Sequence, residues 1–291
     1  VIAIVVGAAA IWVWSAVVRA SLYPVRPLAD HAPRETRLMV ERRAEAARAG
    51  RRHRIDQRWV PASRISPLLR RAVLTAEDDR FFGHGGLDWS EMRESARRNV
   101  EARRVVRGGS TITQQLAKNL FLGSARTPDR KLQEVIVALR MERILSKRRI
   151  LELYLNLIEW GDGVYGAEAA ARRTFGVSAA NLDARQAVLL AAVIINPRRY
   201  SAAAPSRRIE SRARMIASRM HRRGALDDEQ YALAIGKPLR KPGPLDWLFG
   251  PKTPEPDTAG LGAQMDSVVL EDDTMELDAA DQDAAAADSS R

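Results

Sequence analysis

Four stretches of this sequence place reactive or charged side chains at spacings that could do chemistry. The first runs Glu77-Asp78-Asp79-Arg80-Phe81-Phe82-Gly83-His84-Gly85-Gly86-Leu87-Asp88. A carboxylate at the end of an apolar run, beside two further acids and ahead of two phenylalanines, should resist ionisation. That is what a general acid or base needs near neutral pH. The same residues also read as a solvated acidic helix end, with Phe81 and Phe82 in the core. His84 reads as a ligand or as a hydrogen-bonded structural histidine.

The second stretch is Arg107-Gly108-Gly109-Ser110-Thr111-Ile112-Thr113-Gln114-Gln115-Leu116-Ala117-Lys118-Asn119. Two glycines lead into a helix start at which Thr111 and Gln114 form a capping-box pattern. A glycine turn entering a helix could present free N–H groups to an anion, with Lys118 adding charge further on. An ordinary capped helix explains the Ser, Thr and Gln, but not so many polar residues in a row. The third stretch is Arg126, then Arg130-Lys131-Leu132-Gln133-Glu134. Arg130 and Lys131 sit four and three residues before Glu134, so all three share a helix face. On a wet surface such a pair contributes under about 1 kcal/mol. Facing a cleft, it is a cationic grip for phosphate beside a second carboxylate. The fourth stretch, Ser146 to Asn156, then Gly161 to Gly166, reads as scaffold. In it Glu152 and Asn156, one turn apart, could brace neighbouring helices by buried hydrogen bonds.

The elements that must position these residues are mostly helical. Ser66-Pro67 should open a helix carrying Leu68, Leu69, Val73 and Ala76 at helical spacing. Asp129 is the expected cap of a second helix, with Leu132, Ile136, Leu139 and Arg143 on one face. Ile150 to Ile158, Ala184 to Ile195 and Arg207 to Met220 read as three more, the last with its Arg and Glu residues on the wet side. Val1 to Val18 is apolar and uncharged, with Trp12 and Trp14 near its end and Arg19 closing it. It is just long enough to span a bilayer, and an uncleaved anchor fits it better than a signal peptide. It opens without Met, so residues carrying the charges that set orientation are expected before it. The expected organisation is an anchor over 1–20, a basic linker over 21–58 with a short helix near Glu41 to Ala47, a catalytic domain over 59–237, and a disordered acidic tail over 238–291.

The bulk numbers agree. The 291 residues carry a net charge of +11, and the composition is 46% hydrophobic and 29% charged. That is a globular balance rich in helix formers, with room for one large domain or two small lobes. A basic chain meets nucleic acid, anionic lipid or a phosphate-bearing substrate. No zinc spacing, RNA-binding aromatic pattern or helix-turn-helix supports nucleic acid. The absence of cysteine excludes thiolate metal sites, disulfides and a Cys nucleophile.

Taken together, the four stretches resemble the family 51 glycosyltransferases, in order and spacing, from about Trp59 to Tyr200. The resemblance rests on Glu77, Asp78, Phe81, His84 and Gly85; on Gly108 to Asn119; on Arg130 to Glu134; on Ile150 to Asn156; and on Gln186 to Pro197. It is closest to the monofunctional peptidoglycan subgroup, through Trp59-Val60-Pro61, Ser66-Pro67 and Ile158 to Gly163. Thr174, Ile195 and Thr127-Pro128 depart from the family pattern and bear on packing and loop shape rather than chemistry.

The resemblance implies an all-α, lysozyme-like bilobal domain, a head with a small membrane-facing jaw, behind an N-terminal transmembrane helix. It implies a single-pass protein of the bacterial inner membrane, with its catalytic domain in the periplasm and no peptide-crosslinking module. The substrates would be lipid II and the growing glycan strand, and the partners the bilayer and other cell-wall synthases or divisome proteins, with no nucleic acid. Glu77 and Glu134 would be catalytic. Asp78, Phe81, His84, Ser110, Thr111, Gln114, Gln115, Lys118, Asn119, Arg126, Arg130 and Lys131 would bind substrate. No cofactor is required, and a divalent cation (Mg or Mn) beside Glu134 stays open. Two rivals remain: a lysozyme-like lytic transglycosylase, which needs no cation cluster, and an inactive scaffold that binds lipid II.

Overall fold

A computed structural model of the chain describes residues 2–101 and 109–237. Arg107, Gly108 and the acidic tail lie outside the described residues. Helix α1 spans Ile2–Ser21, and its stretch Ala3–Ser21 is long and apolar enough to cross a membrane. Ile4, Ile11 and Trp14 on it are exposed, as a helix meant for lipid rather than a protein core would leave them. The next segment is more than a linker. It holds helix α2 (Arg37–Arg48), capped by Thr36, and strand β1 (Asp56–Gln57), both packed on the rest of the chain.

Helix α3 (Pro67–Glu77) starts at Ser66 with proline in its first turn, as the sequence predicts. It leads to α4 (Trp89–Glu101), α5 (Ile112–Ala117) and a π-helical turn over Lys118–Leu122. Helix α6 (Pro128–Ile144) is capped by Thr127, whose hydroxyl accepts from the Arg130 amide, and not by Asp129. Proline tolerates only the first helical position, so Pro128 moves the cap one residue ahead of itself. Helix α7 (Lys147–Leu157) is capped by Ser146 and starts three residues earlier than the apolar pattern indicates.

Strands β2 (Glu159–Gly161) and β3 (Val164–Tyr165) form a hairpin, and β1 joins β3 in parallel, giving the sheet order β1-β3-β2. This small sheet is the departure from a purely helical fold. Helices α8 (Ala167–Phe175), α9 (Ala184–Val193), α10 (Arg207–Arg222) and α11 (Asp228–Ala234) complete the described chain. Helix α9 has a capping box at Asp183 and Gln186, is apolar from Ala187 to Val193, and packs in the core against α3, α10 and α11.

Glu152 and Asn156 do brace the structure, against an extended segment rather than a helix. Asn156 Oδ1 accepts from the Val60 amide at 3.0 Å, and its Nδ2 donates to the carbonyls of Val60 and Glu152, both at 2.9 Å. Glu152 Oε2 accepts from the Ala62 amide at 3.2 Å. The turn behind them requires glycine. Gly166 has φ +83°, and a Cβ there would stand 2.7 Å from the Asn156 carbonyl oxygen. Asn156→Ala should cost about 1–3 kcal/mol, because it removes the partner of the amide and carbonyl of half-buried Val60. Chemical denaturation checks this; a loss under about 0.5 kcal/mol would mean that water replaces the side chain.

Candidate active site

Helix α3 ends at Glu77 and delivers its carboxylate into the fold with 12% of the side chain exposed. Its Oε1 accepts from Arg212 Nη2 at 2.8 Å. Its Oε2 accepts from Gln115 Nε2 at 3.0 Å. Gln115 in turn accepts from the Tyr154 hydroxyl at 3.0 Å. Burial pushes the Glu77 carboxyl above its ordinary range, and Arg212, Gln115 and Lys118 pull it down without cancelling that push. Burial, with Glu77 and Asp78 nearby, also holds the Tyr154 hydroxyl well above its usual range, so it stays a donor. The result is an oriented, poorly solvated carboxylate, suited to taking a proton near neutral pH.

The second carboxylate lies on α6. Glu134 is 3% exposed, with Arg130 Nη1 on Oε2 at 2.5 Å and Lys131 Nζ on Oε1. Lys131 also donates to Ser110 Oγ at 3.0 Å. Lys118 stands within electrostatic reach of both carboxylates. Burial lowers its pKa, Arg130 and Lys131 act in the same direction, and Glu134 and Glu77 oppose them. Arg126 is exposed on the loop between Lys118 and α6. Around Glu134, the three cations Lys118, Arg130 and Lys131 leave an excess suited to a multiply charged anion. A divalent cation fits Glu134 poorly, because both its oxygens already hold a charged donor. The one group of close acids and histidine among the described residues, Asp78, His84 and Asp88, is tied up only in part: Asp78 by His84 and the Ile112 amide, and Asp88 Oδ1 by Arg80 and the Glu91 amide, while His84 Nδ1 is buried without a hydrogen-bond partner.

Several expected ligand residues turn out to support the site from behind. Phe81 is fully buried under Lys147, whose ammonium lies 4.2 Å from the ring centre, so it belongs to the core. Asp78 is buried, with Oδ1 2.9 Å from His84 Nε2 and Oδ2 accepting from the Ile112 amide at 2.9 Å. Thr111 and Gln114 close the expected capping box, and Thr111 Oγ1 also donates to the Gly86 carbonyl at 2.7 Å. The amides of Ile112 and Gln114 are thus taken, and this helix end is not the open anion nest that its sequence suggests. Instead Asp78 pins α5 to α3, which carries Gln115 to Glu77. Asn119 is buried in the π-helical turn.

Arg212 is the site residue that sequence reasoning missed. Helix α10 buries Ile209, Ala213, Ile216, Ala217 and Met220. Arg212 lies three residues after Ile209 and four before Ile216, inside that apolar stripe rather than on the wet side. A lone charge in such a stripe needs a buried partner, and that was the available signal. The partner is Glu77.

Known proteins resemble this chain over most of the described residues. The Transglycosylase family model matches residues 44–221. A biosynthetic peptidoglycan transglycosylase of Laribacter hongkongensis is 46% identical over 189 residues, covering 65% of this chain and 83% of that protein. Proteins of the same name from Methylobacillus flagellatus and Thiobacillus denitrificans are 51% and 50% identical, covering 57% and 64% of this chain and 72% and 81% of theirs.

Because Arg212 stabilises the ionised form of Glu77, Arg212→Gln should move the Glu77 titration upward. An opposite charge at this distance accounts for about 1–3 pH units. Carboxyl NMR of the two proteins measures the difference. An unmoved or lowered titration would mean that the ion pair is broken in solution.

Proposed function

The chain belongs to the Transglycosylase family, and from that premise we propose that it polymerises lipid II into glycan strands of peptidoglycan. Glu77 takes the proton from the 4-hydroxyl of the acceptor GlcNAc. The oxygen so freed bonds to C1 of the donor MurNAc from the face opposite the leaving group. The bond from C1 to the pyrophosphate breaks, and undecaprenyl pyrophosphate departs with inversion at C1. Lys118, Arg126, Arg130 and Lys131 neutralise the charge that builds on the departing pyrophosphate, and Glu134 aims Arg130 and Lys131 at it. Electrostatic stabilisation of this kind is worth most when the donors are held in place beforehand. Asp78, His84, Thr111 and Gln114 serve the substrate indirectly, by holding α3 and α5 together.

The observation that carries this reading is the cation set gathered around Glu134 beside a buried, partnered Glu77. A lytic transglycosylase cleaves a neutral glycosidic bond and has no use for such charge. The polyprenyl substrate and helix α1 both belong to the bilayer, so the catalytic residues work at its surface, on the periplasmic side where lipid II is consumed.

Glu77→Gln keeps the volume and removes the base. It should lower the polymerisation rate by about 10²–10⁴ in a protein that still folds, with a lower thermal midpoint because Arg212 loses its charged partner. Near-normal strand synthesis by this variant would remove Glu77 from the chemistry. Lys118→Ala should weaken binding of a pyrophosphate-bearing analogue by about tenfold or more, the worth of one charge-assisted hydrogen bond. An equal effect on an analogue without pyrophosphate would contradict the leaving-group role.

A further inference from the structure

The cations that grip the pyrophosphate all lie between Lys118 and Lys131, on a π-helical turn, an exposed loop and the first turn of α6. Like charges crowded on one short segment repel and would spread it unless something holds it. Glu134 offsets part of that repulsion and Ser110 takes Lys131, and a further set of contacts comes from residues 19–41, in the stretch joining the apolar helix to the catalytic part. Arg19 pairs with Asp129 at 2.5 Å. The Tyr23 ring stacks on Phe121 with centroids 5.1 Å apart, and its hydroxyl lies 3.4 Å from Gln133 Oε1. Gln133 completes the link by donating to Asp129 at 2.7 Å.

Glu41, on α2, holds the other end. Its Oε2 accepts from Ser124 N at 2.8 Å and from Ser124 Oγ at 2.9 Å. Its carboxylate also fills the space that a Cβ on Gly123 would need, and Gly123 has φ +74°. Further along α6, Arg140 donates to the carbonyls of Ala20 and Tyr23. The contacted positions 121, 124, 129 and 133 are interspersed among the cationic positions 118, 126, 130 and 131. Ordinary packing of a linker has no reason to follow that pattern or to commit a carboxylate to an exposed loop. Tyr23 and Glu41 lie before residue 44, where the family match begins.

We propose that residues 19–41 form a clamp that sets the spacing between Lys118 and the Arg130–Lys131 pair, with Tyr23 and Glu41 as positioning residues for the pyrophosphate grip. The clamp rests on the reading of those cations given above. It makes the membrane-proximal stretch part of the active site, so that anchoring and substrate affinity are set by the same residues. A misplacement of about 1 Å at such a site can cost about 10² in rate.

The test uses the full chain in detergent micelles, with an undecaprenyl pyrophosphate inhibition constant and lipid II KM and kcat as readouts. Glu41→Ala and Tyr23→Ala should each weaken undecaprenyl pyrophosphate binding and raise KM by about tenfold, with a smaller change in kcat. Tyr23→Phe keeps the stack and should restore most of the affinity. Arg43→Ala, which removes a pair between α2 and Glu35 ahead of its cap, should change neither. Hydrogen exchange over residues 119–127 should quicken in Glu41→Ala. If Glu41→Ala is too unstable to assay, Glu41→Gln, which loses the charge and keeps an acceptor, should show a smaller shift of the same sign. Unchanged affinity in folded Glu41→Ala and Tyr23→Ala, with Lys118→Ala impaired, overturns the clamp and leaves the grip standing. Undecaprenyl pyrophosphate binding that ignores Lys118→Ala overturns the grip, and the clamp with it.

Discussion

Taking the Glu77 carboxylate out of water is the constraint on which the site depends. Desolvation alone would keep it protonated and useless as a base. Arg212 and Gln115 each occupy one of its oxygens, and Tyr154 orients Gln115. The four side chains come from α3, α10, α5 and α7, so the proposed base is correctly placed only when those helices are packed together. Helices α3 and α10 pack directly on each other, and the apolar helix α9 packs on both.

The cationic half is built differently. Arg130, Lys131 and Glu134 are neighbours on one helix and need no tertiary structure to meet. What tertiary structure supplies is their position relative to Lys118, through Asp78 at the start of α5 and through the contacts from residues 19–41. The two halves meet at Lys118, whose charge is felt by both Glu77 and Glu134. A buried base and an anion grip sharing one lysine suit a transfer in which a proton leaves the nucleophile as negative charge builds on the leaving group.

What could be read from sequence follows the range of each interaction. The Thr111–Gln114 capping box, the Arg130–Lys131–Glu134 face and the start of α3 at Pro67 are set by residues within four positions of one another. Each appears in the structure as its pattern indicates. Glu77 itself was marked by its apolar neighbours and by the family resemblance. Arg212 is 135 residues from Glu77, and an amphipathic helix full of arginine hides one that faces inward. The amides at the start of α5 looked open to an anion because the acceptor that fills one of them, Asp78, lies 34 residues away. The stretch 21–58 looked like a linker because its Arg-rich composition conceals contacts that exist only once α6 and the π-helical turn are in place.

The most direct test of a desolvated base at Glu77 is the pH dependence of kcat for lipid II polymerisation by the unmodified chain. Burial raises this carboxyl despite Arg212 and Lys118, so the predicted result is an acid limb above the ordinary glutamate range, with full activity on its alkaline side. A limb at or below that range, or a rate indifferent to pH across it, would contradict the assignment of a buried Glu77 as the group that takes the proton.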